Sequence, residues 1–209
     1  MRVTAETRIA TRQRILDVAR RLFAQQGFES ATTRDIARAA QIATGTVFNY
    51  FPTKESIALC LVTEAHEKAP REFLKDGSDA SLALEEDLFA YVATGLRKLK
   101  PYRKYLPVTL ETSPSSSAAE HDDEPSSLRT THLETVGHII SRHGRHEALS
   151  PLALQLYWTL YAGVLVFWAA DSSPKQEDTL ALLDQSLAMF VGWLAGETDR
   201  NISQPKNGG

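Results

Sequence analysis

Between Thr32 and Lys54 the chain reads TTRDIARAAQIATGTVFNYFPTK, and the groups it offers suit recognition of a polyanion rather than bond-breaking chemistry. Arg34 carries a planar fork that can bond guanine O6 and N7 together. Thr33, Thr46, Tyr50 and Lys54 suit phosphate oxygens, contacts that set register without reading sequence. Thr44 and Asn49 can touch base edges, Gly45 lets the backbone come close, and the Phe48 ring can meet a thymine methyl. Residue types of this kind, closely spaced, are those of a duplex-binding surface, with double-stranded DNA as the partner.

Two short helices must position that set. Thr32 followed by Asp35 is a capping pattern that starts a helix, and Gln41-Ile42-Ala43 interrupts it after about two turns. A second helix starts near Thr44 and is stopped by Pro52, which has no N–H to continue it. Ile36, Ala37, Ala40, Ile42, Val47 and Phe51 form the apolar inner face. Ala43 stands where a side-chain cap belongs, so Thr44 is expected to take over that cap. Lys54 opens the next helix, with Thr53 as its N-cap. A lysine in a first turn opposes the helix dipole, which phosphate contact would explain.

These residues resemble a family. GTVFNYFPTKESI, with the upstream ILDVARRLFAQQGFESATTRDIARAA, is similar to the DNA-binding head of TetR-type (tetracycline-repressor-like) transcriptional regulators, without a gap from about Arg12 to Leu61. The resemblance implies an all-α fold: a three-helix head with a helix-turn-helix, then a larger helical domain for effector binding and dimerisation. Phe48 departs from the tyrosine most usual in that family, and Ala43 from its capping Ser or Thr.

The charge distribution agrees with this. The first sixty residues hold nine basic and five acidic groups out of 23 and 26 in the whole chain, so a cationic head precedes an acidic body. The N-terminus has no apolar stretch of a secretory signal, and Cys60 is the only cysteine, so the expected compartment is the cytoplasm, with no disulfide. Set in Leu59-Cys60-Leu61-Val62, Cys60 reads as an inert buried thiol rather than a redox switch.

Along the chain the expected plan is a flexible arm at 1–10, a DNA-binding domain at 11–55, a helical effector and dimerisation domain at 56–197, and a disordered tail at 198–209. Ile15, Ala19, Leu22 and Phe23 mark the first helix, closed by Gly27. The helix after Lys54 should stop before Pro70. Leu84, Leu88, Val92, Leu96 and Leu99 mark another, followed by a broken stretch around Tyr102. ETSPSSSAAEHDDEPSS, 111–127, reads as a mobile loop, and a helix from Leu128 should end before Gly144.

Leu152 to Ala170 contains no charge. A membrane span is rejected, because its aromatic residues form no belt and no Lys/Arg cluster flanks it. A helix apolar all round must then be buried all round, half against its own domain and half against a second copy. Leu152 and Leu156 here, with Leu180, Leu183, Leu187, Phe190 and Leu194 on the last helix, are the expected homodimer interface. Phe89, Tyr102, Tyr105, Trp158, Tyr161 and Trp168 are the expected lining for a small hydrophobic or aromatic effector.

Catalysis and metal binding have little support. No Ser/Cys–His arrangement, P-loop or dinucleotide fingerprint occurs, so neither enzyme nor cofactor is expected. Glu85-Glu86-Asp87 reads as the wet side of a helix. His132, Glu134, His138, His143 and His146 lack ligand spacing and read as solvated. The functional expectation is a dimeric repressor of a palindromic operator released by an effector; the alternative is a ligand-independent architectural or co-regulatory DNA-binding protein.

Overall fold

The computed structural model describes residues 4–75, 82–106 and 128–203, so the stretch expected to be a mobile loop, 111–127, lies outside the described residues. Every regular element among the described residues is helical. In chain order these are α1 (Ala5–Gln26), α2 (Thr33–Ala39), α3 (Thr44–Tyr50), α4 (Lys54–Lys75), α5 (Leu84–Leu99), a 3₁₀ turn (Lys100–Tyr105), α6 (Leu128–Arg142), a 3₁₀ turn (His146–Ala148), α7 (Pro151–Ala170), a 3₁₀ turn (Pro174–Gln176) and α8 (Glu177–Ser203).

Residues group into two compact units. The first is 1–65 with 99–118, of which 99–106 is described, and the second is 66–98 with 119–209. This differs from the expected boundary at residue 55: the head takes in the start of α4 and also the 3₁₀ turn. The reason is aromatic packing, because Tyr105 is buried with its ring 5.5 Å from Phe23 and 5.2 Å from Phe28.

In the first unit, α1 begins earlier than expected. Thr4 caps it by accepting from the Thr7 N–H at 3.2 Å, so most of the expected arm is helix. Gly27 ends it at φ 86°, ψ 155°, a region open essentially to glycine alone. Ile15, Leu16, Ala19, Ile36, Val47, Ile57 and Leu61 form the fully buried core.

α2 closes in a Schellman motif. The Gln41 N–H reaches the Arg38 carbonyl at 3.1 Å and the Ile42 N–H reaches Ala37 at 3.0 Å, with Gln41 at φ 56° where glycine is usual. Gly144 at φ 72° closes α6 in the same way, with Arg145 N–H bonded to Ile140 O at 3.2 Å.

α4 runs through Pro70 to Lys75 instead of stopping before it. Proline has no N–H for the carbonyl four residues back, which here belongs to His66. Both Ala69 and Pro70 are buried, and burial of that face keeps the helix going. α8 likewise continues to Ser203, past the start of the expected tail.

In the second unit the expected stripe of α8 faces inward. Leu183, Leu187, Phe190 and Leu194 are buried within the chain, and Phe190 packs edge-on to Tyr157 of α7 at 5.4 Å. The link between these helices is fixed by Asp171, whose carboxylate accepts from the N–H groups of Ser173 at 2.7 Å and Thr179 at 3.1 Å. Those bonds, the Ser173 contact foremost, hold its carboxyl well below the usual carboxylate range.

Candidate nucleic-acid interface and effector core

The helix-turn-helix forms as its residues require. Thr32 accepts from the Asp35 N–H, and Asp35 accepts from the Thr32 N–H, each at 3.2 Å, a complete capping box. The hydrogen bonds from Thr32, then the Arg38 guanidinium at 3.2 Å, hold the Asp35 carboxyl below its ordinary pKa. Ile36 and Val47 are fully buried, while Arg34, Gly45, Phe48 and Asn49 are exposed and Thr33, Thr44, Thr46 and Tyr50 are half-exposed. All eight are thus at least partly exposed on α2 and α3. Ala43 caps α3 with no side-chain hydrogen bond, and Thr44 lies inside the helix at its first position, so it does not take over the cap.

Lys54 has a different first duty from the one expected. Its ammonium donates to the carbonyls of Phe28 at 2.7 Å and Glu29 at 3.4 Å and lies 4.2 Å from the centre of the Phe28 ring. Two of its three N–H bonds thus brace the turn after α1, leaving one for a phosphate. Thr53 and Ser56 cap α4 reciprocally, the Ser56 N–H reaching Thr53 Oγ1 at 3.1 Å and the Thr53 N–H reaching Ser56 Oγ at 3.3 Å. Arg20 is also committed, to Asp17, Glu64 and the Tyr102 hydroxyl. Cys60 is half-buried rather than buried, and Arg12 donates to its sulfur at 3.3 Å.

The expected effector residues are divided between the two units. Tyr102 and Tyr105 belong to the first unit, where they pack on Arg20, Phe23 and Phe28. Tyr161 and Trp168 are buried in the second unit, and Phe89 and Trp158 are half-exposed there. A void of ≈ 10 Å³, room for about one water, lies between α5, α7 and α8 beside Val92, Tyr157, Tyr161, Val164, Leu187 and Phe190.

The same unit buries a group that the sequence assigned to solvent. His132 is 2% exposed, with its two ring nitrogens 3.2 Å from the Tyr91 hydroxyl and 3.1 Å from that of Tyr157. Its ring stacks on Tyr161 with centres 4.1 Å apart. His66 is 1% exposed, and its Nε2 lies 2.9 Å from the Tyr161 hydroxyl. Burial pushes the His66 pKa down to about 4 and holds His132 well below its usual value, so both rings are neutral near pH 7.

A third difference concerns Asp87, expected on the wet side of α5. It is wholly buried and pairs with Arg142 and with His143 Nε2, the latter at 2.9 Å. Glu85 is half-exposed and Glu86 exposed, so two of that acidic run do face outward. His138 and His146 are exposed as expected. Among the described residues no group of three or more His, Cys, Asp or Glu is placed to hold a metal ion.

Of the expected interface residues, only Leu152 at 65% and Leu180 at 39% are well exposed; Leu156 is half-exposed and the other four are in the core. The outward apolar residues of α7 and α8 are instead Val166 at 61%, Phe167 at 42%, Leu182 and Met189 at 69%. Both helices are long and apolar enough to cross a membrane by length and composition alone, but α7 buries Tyr157, Tyr161, Val164 and Trp168 in its own unit.

Two family descriptions match this chain, "Bacterial regulatory proteins, tetR family" over residues 15–60 and "Tetracyclin repressor-like, C-terminal domain" over 88–201. Among curated relatives, the HTH-type transcriptional repressor KstR2 of Rhodococcus jostii is 30% identical over 188 residues, 88% of this chain and 77% of that protein. The HTH-type transcriptional regulator UidR of Escherichia coli is 35% identical over 63 residues, 30% of this chain, so the match spans about a third of that relative's length, 32%. Among solved structures, Thermus thermophilus FadR, a TetR-family repressor in complex with lauroyl-CoA, has the same fold at a TM-score of 0.61 and 22% identity, covering 86% of this chain and 93% of that one. With both halves matched in order and the capped helix-turn-helix in place, the chain belongs to the tetracycline-repressor family of bacterial transcriptional regulators.

Proposed function

We propose that this protein is a cytoplasmic, dimeric, DNA-binding repressor of an approximately palindromic operator, released by a small hydrophobic or aromatic effector. The observation that carries the reading is the α2–α3 surface. A rigid, buried inner face holds Arg34, Thr44, Gly45, Phe48 and Asn49 outward, with the polar hydroxyls of Thr33, Thr46 and Tyr50 around them. Arg34 and Asn49 suit base edges, while the hydroxyls and the remaining N–H of Lys54 suit phosphate.

One such head buries little surface, and two related by a two-fold axis would read half-sites one helical turn or more apart. The exposed apolar residues of α7 and α8 supply a face for that pairing. Relatives support the class: KstR2 is a repressor by name, and the FadR structure holds lauroyl-CoA, a largely apolar molecule at its acyl end. Release needs only that an effector bind one arrangement of the heads better than the other, typically by 1–3 kcal/mol, on the order of a five- to hundredfold change.

The test is nuclease protection of DNA upstream of the protein's own gene. A symmetric protected region is expected, weakened at least about tenfold by Arg34→Ala through the loss of one bidentate base contact. No protection of that or any promoter fragment, or an Arg34→Ala protein that binds unchanged, overturns the reading. The ≈ 10 Å³ void favours a second one, a DNA-binding protein without an effector. In that case no hydrophobic compound would stabilise it.

A further inference from the structure

A glycine stands inside α3 without an internal reason. Gly45 has an ordinary helical backbone, and a Cβ built on it would meet nothing within 4 Å, so neither a turn nor a packed neighbour requires its bareness. Glycine is the poorest helix former after proline, and α3 is only seven residues long with no side-chain cap. The missing side chain therefore answers to something outside the chain, the close approach of another molecule.

The neighbours of Gly45 say what that molecule offers. Residues three and four positions apart are neighbours on a helix surface, so Phe48 and Asn49 both flank Gly45. Val47 and Phe51 are buried at 0% and 2%, whereas Phe48 is 48% exposed, and Gly45 and Asn49 are exposed with it. The result is a shallow notch, bare at Gly45, walled by an aromatic ring and bordered by an amide. α3 holds no arginine or lysine, the residues of the commonest guanine contact. Its chemistry suits an A·T pair instead: an apolar surface for the C5 methyl of thymine and an amide for an adenine edge.

Resting on the regulatory reading above, we propose that Gly45 and Phe48 together select one thymine in each half-site by its C5 methyl, which sits over Gly45 against the Phe48 ring. That methyl is the one group thymine has and uracil lacks, and cytosine gains it on C5 methylation. The selection therefore extends to 5-methylcytosine, which presents the same methyl in the major groove. A Cβ added at position 45 takes the space the methyl needs.

The experiment uses the full-length protein and the duplex it protects upstream of its own gene, with each thymine replaced in turn by deoxyuridine in both half-sites. Affinity is read by fluorescence anisotropy at one fixed salt concentration. One symmetric pair of positions is expected to weaken binding about fifteenfold, about fourfold for each buried methyl. With 5-methylcytosine at that pair, binding is expected to be about fifteenfold tighter than with cytosine. Phe48→Ala and Gly45→Ala are each expected to lose the preference for thymine over uracil. Gly45→Ala should also melt no lower than the native protein, which separates a lost contact from a damaged helix. Arg34 remains in both variants, so residual binding stays measurable. The assignment is overturned by a scan in which no thymine pair matters, by a preference that survives both variants, or by a Gly45→Ala protein that melts lower. Protection that persists in those cases sinks only this contact. A protein that protects no duplex sinks the regulatory reading and this contact with it.

Discussion

His66 and His132 put a titration inside an apolar core, and its sign follows from their burial. The unfolded chain binds a proton near pH 6.5, whereas folded His66 does so only at about 4. Between those values the unfolded state holds the extra proton, so stability falls as pH is lowered through that window and is unaffected by His66 above it. The loss is about 1.4 kcal/mol per pH unit for one group, with His132 adding to it. Urea midpoints at pH 7, 6 and 5 should show the native protein falling more steeply than His66→Phe; parallel curves would mean that the ring is already protonated or solvated. Lys54 teaches a related lesson. Its placement in a first turn is explained in part by the Phe28 and Glu29 carbonyls that receive it, not by an anion alone.

Among elements, α5 and the end of α6 are joined by a buried charge. Asp87 is fully buried on α5, and Arg142 and His143 reach it from the last turn and first residue beyond α6. Removing one member of such a cluster is more damaging than the pair is stabilising, because the other remains buried and unmatched. Asp87→Asn is expected to lower unfolding free energy by about 3 kcal/mol, and a double replacement, Asp87→Asn with Arg142→Met, to recover part of it. Chemical denaturation of the three proteins checks this; additive losses would show that the groups act independently. Sequence periodicity placed α5 and α6 correctly but assigned Asp87 to solvent. An i, i+4, i+8 pattern reports which residues share a face, and a carboxylate on the inner face looks like one on the outer face until its partner, 55 residues away, is placed.

For the molecule as a whole, the face that matters is the one the chain cannot cover by itself. Val166, Phe167, Leu152 and Met189 stand exposed on α7 and α8, while the leucine stripe of α8 is already spent on its own core. If that face carries the proposed dimer, Val166→Glu, which puts a charge on it and disturbs no buried residue, is expected to leave a monomer in sedimentation and to abolish operator protection at moderate protein concentration. A dimer that survives the change would move the interface elsewhere. What the sequence determined by itself was decided within about one helical turn: the Thr32–Asp35 box, the Gly27 and Gly144 stops and the helical periods of the body, though the equally local Thr4 cap of α1 and the uncapped start of α3 at Ala43 were not read from it. Only the tertiary structure decided which apolar face is inside, why Pro70 does not end α4, that Tyr105 belongs to the head, and that His132 is dry. Caps and periods depend on neighbours in the chain, whereas burial and hydrogen-bond partners depend on residues brought in from 25 to 95 positions away.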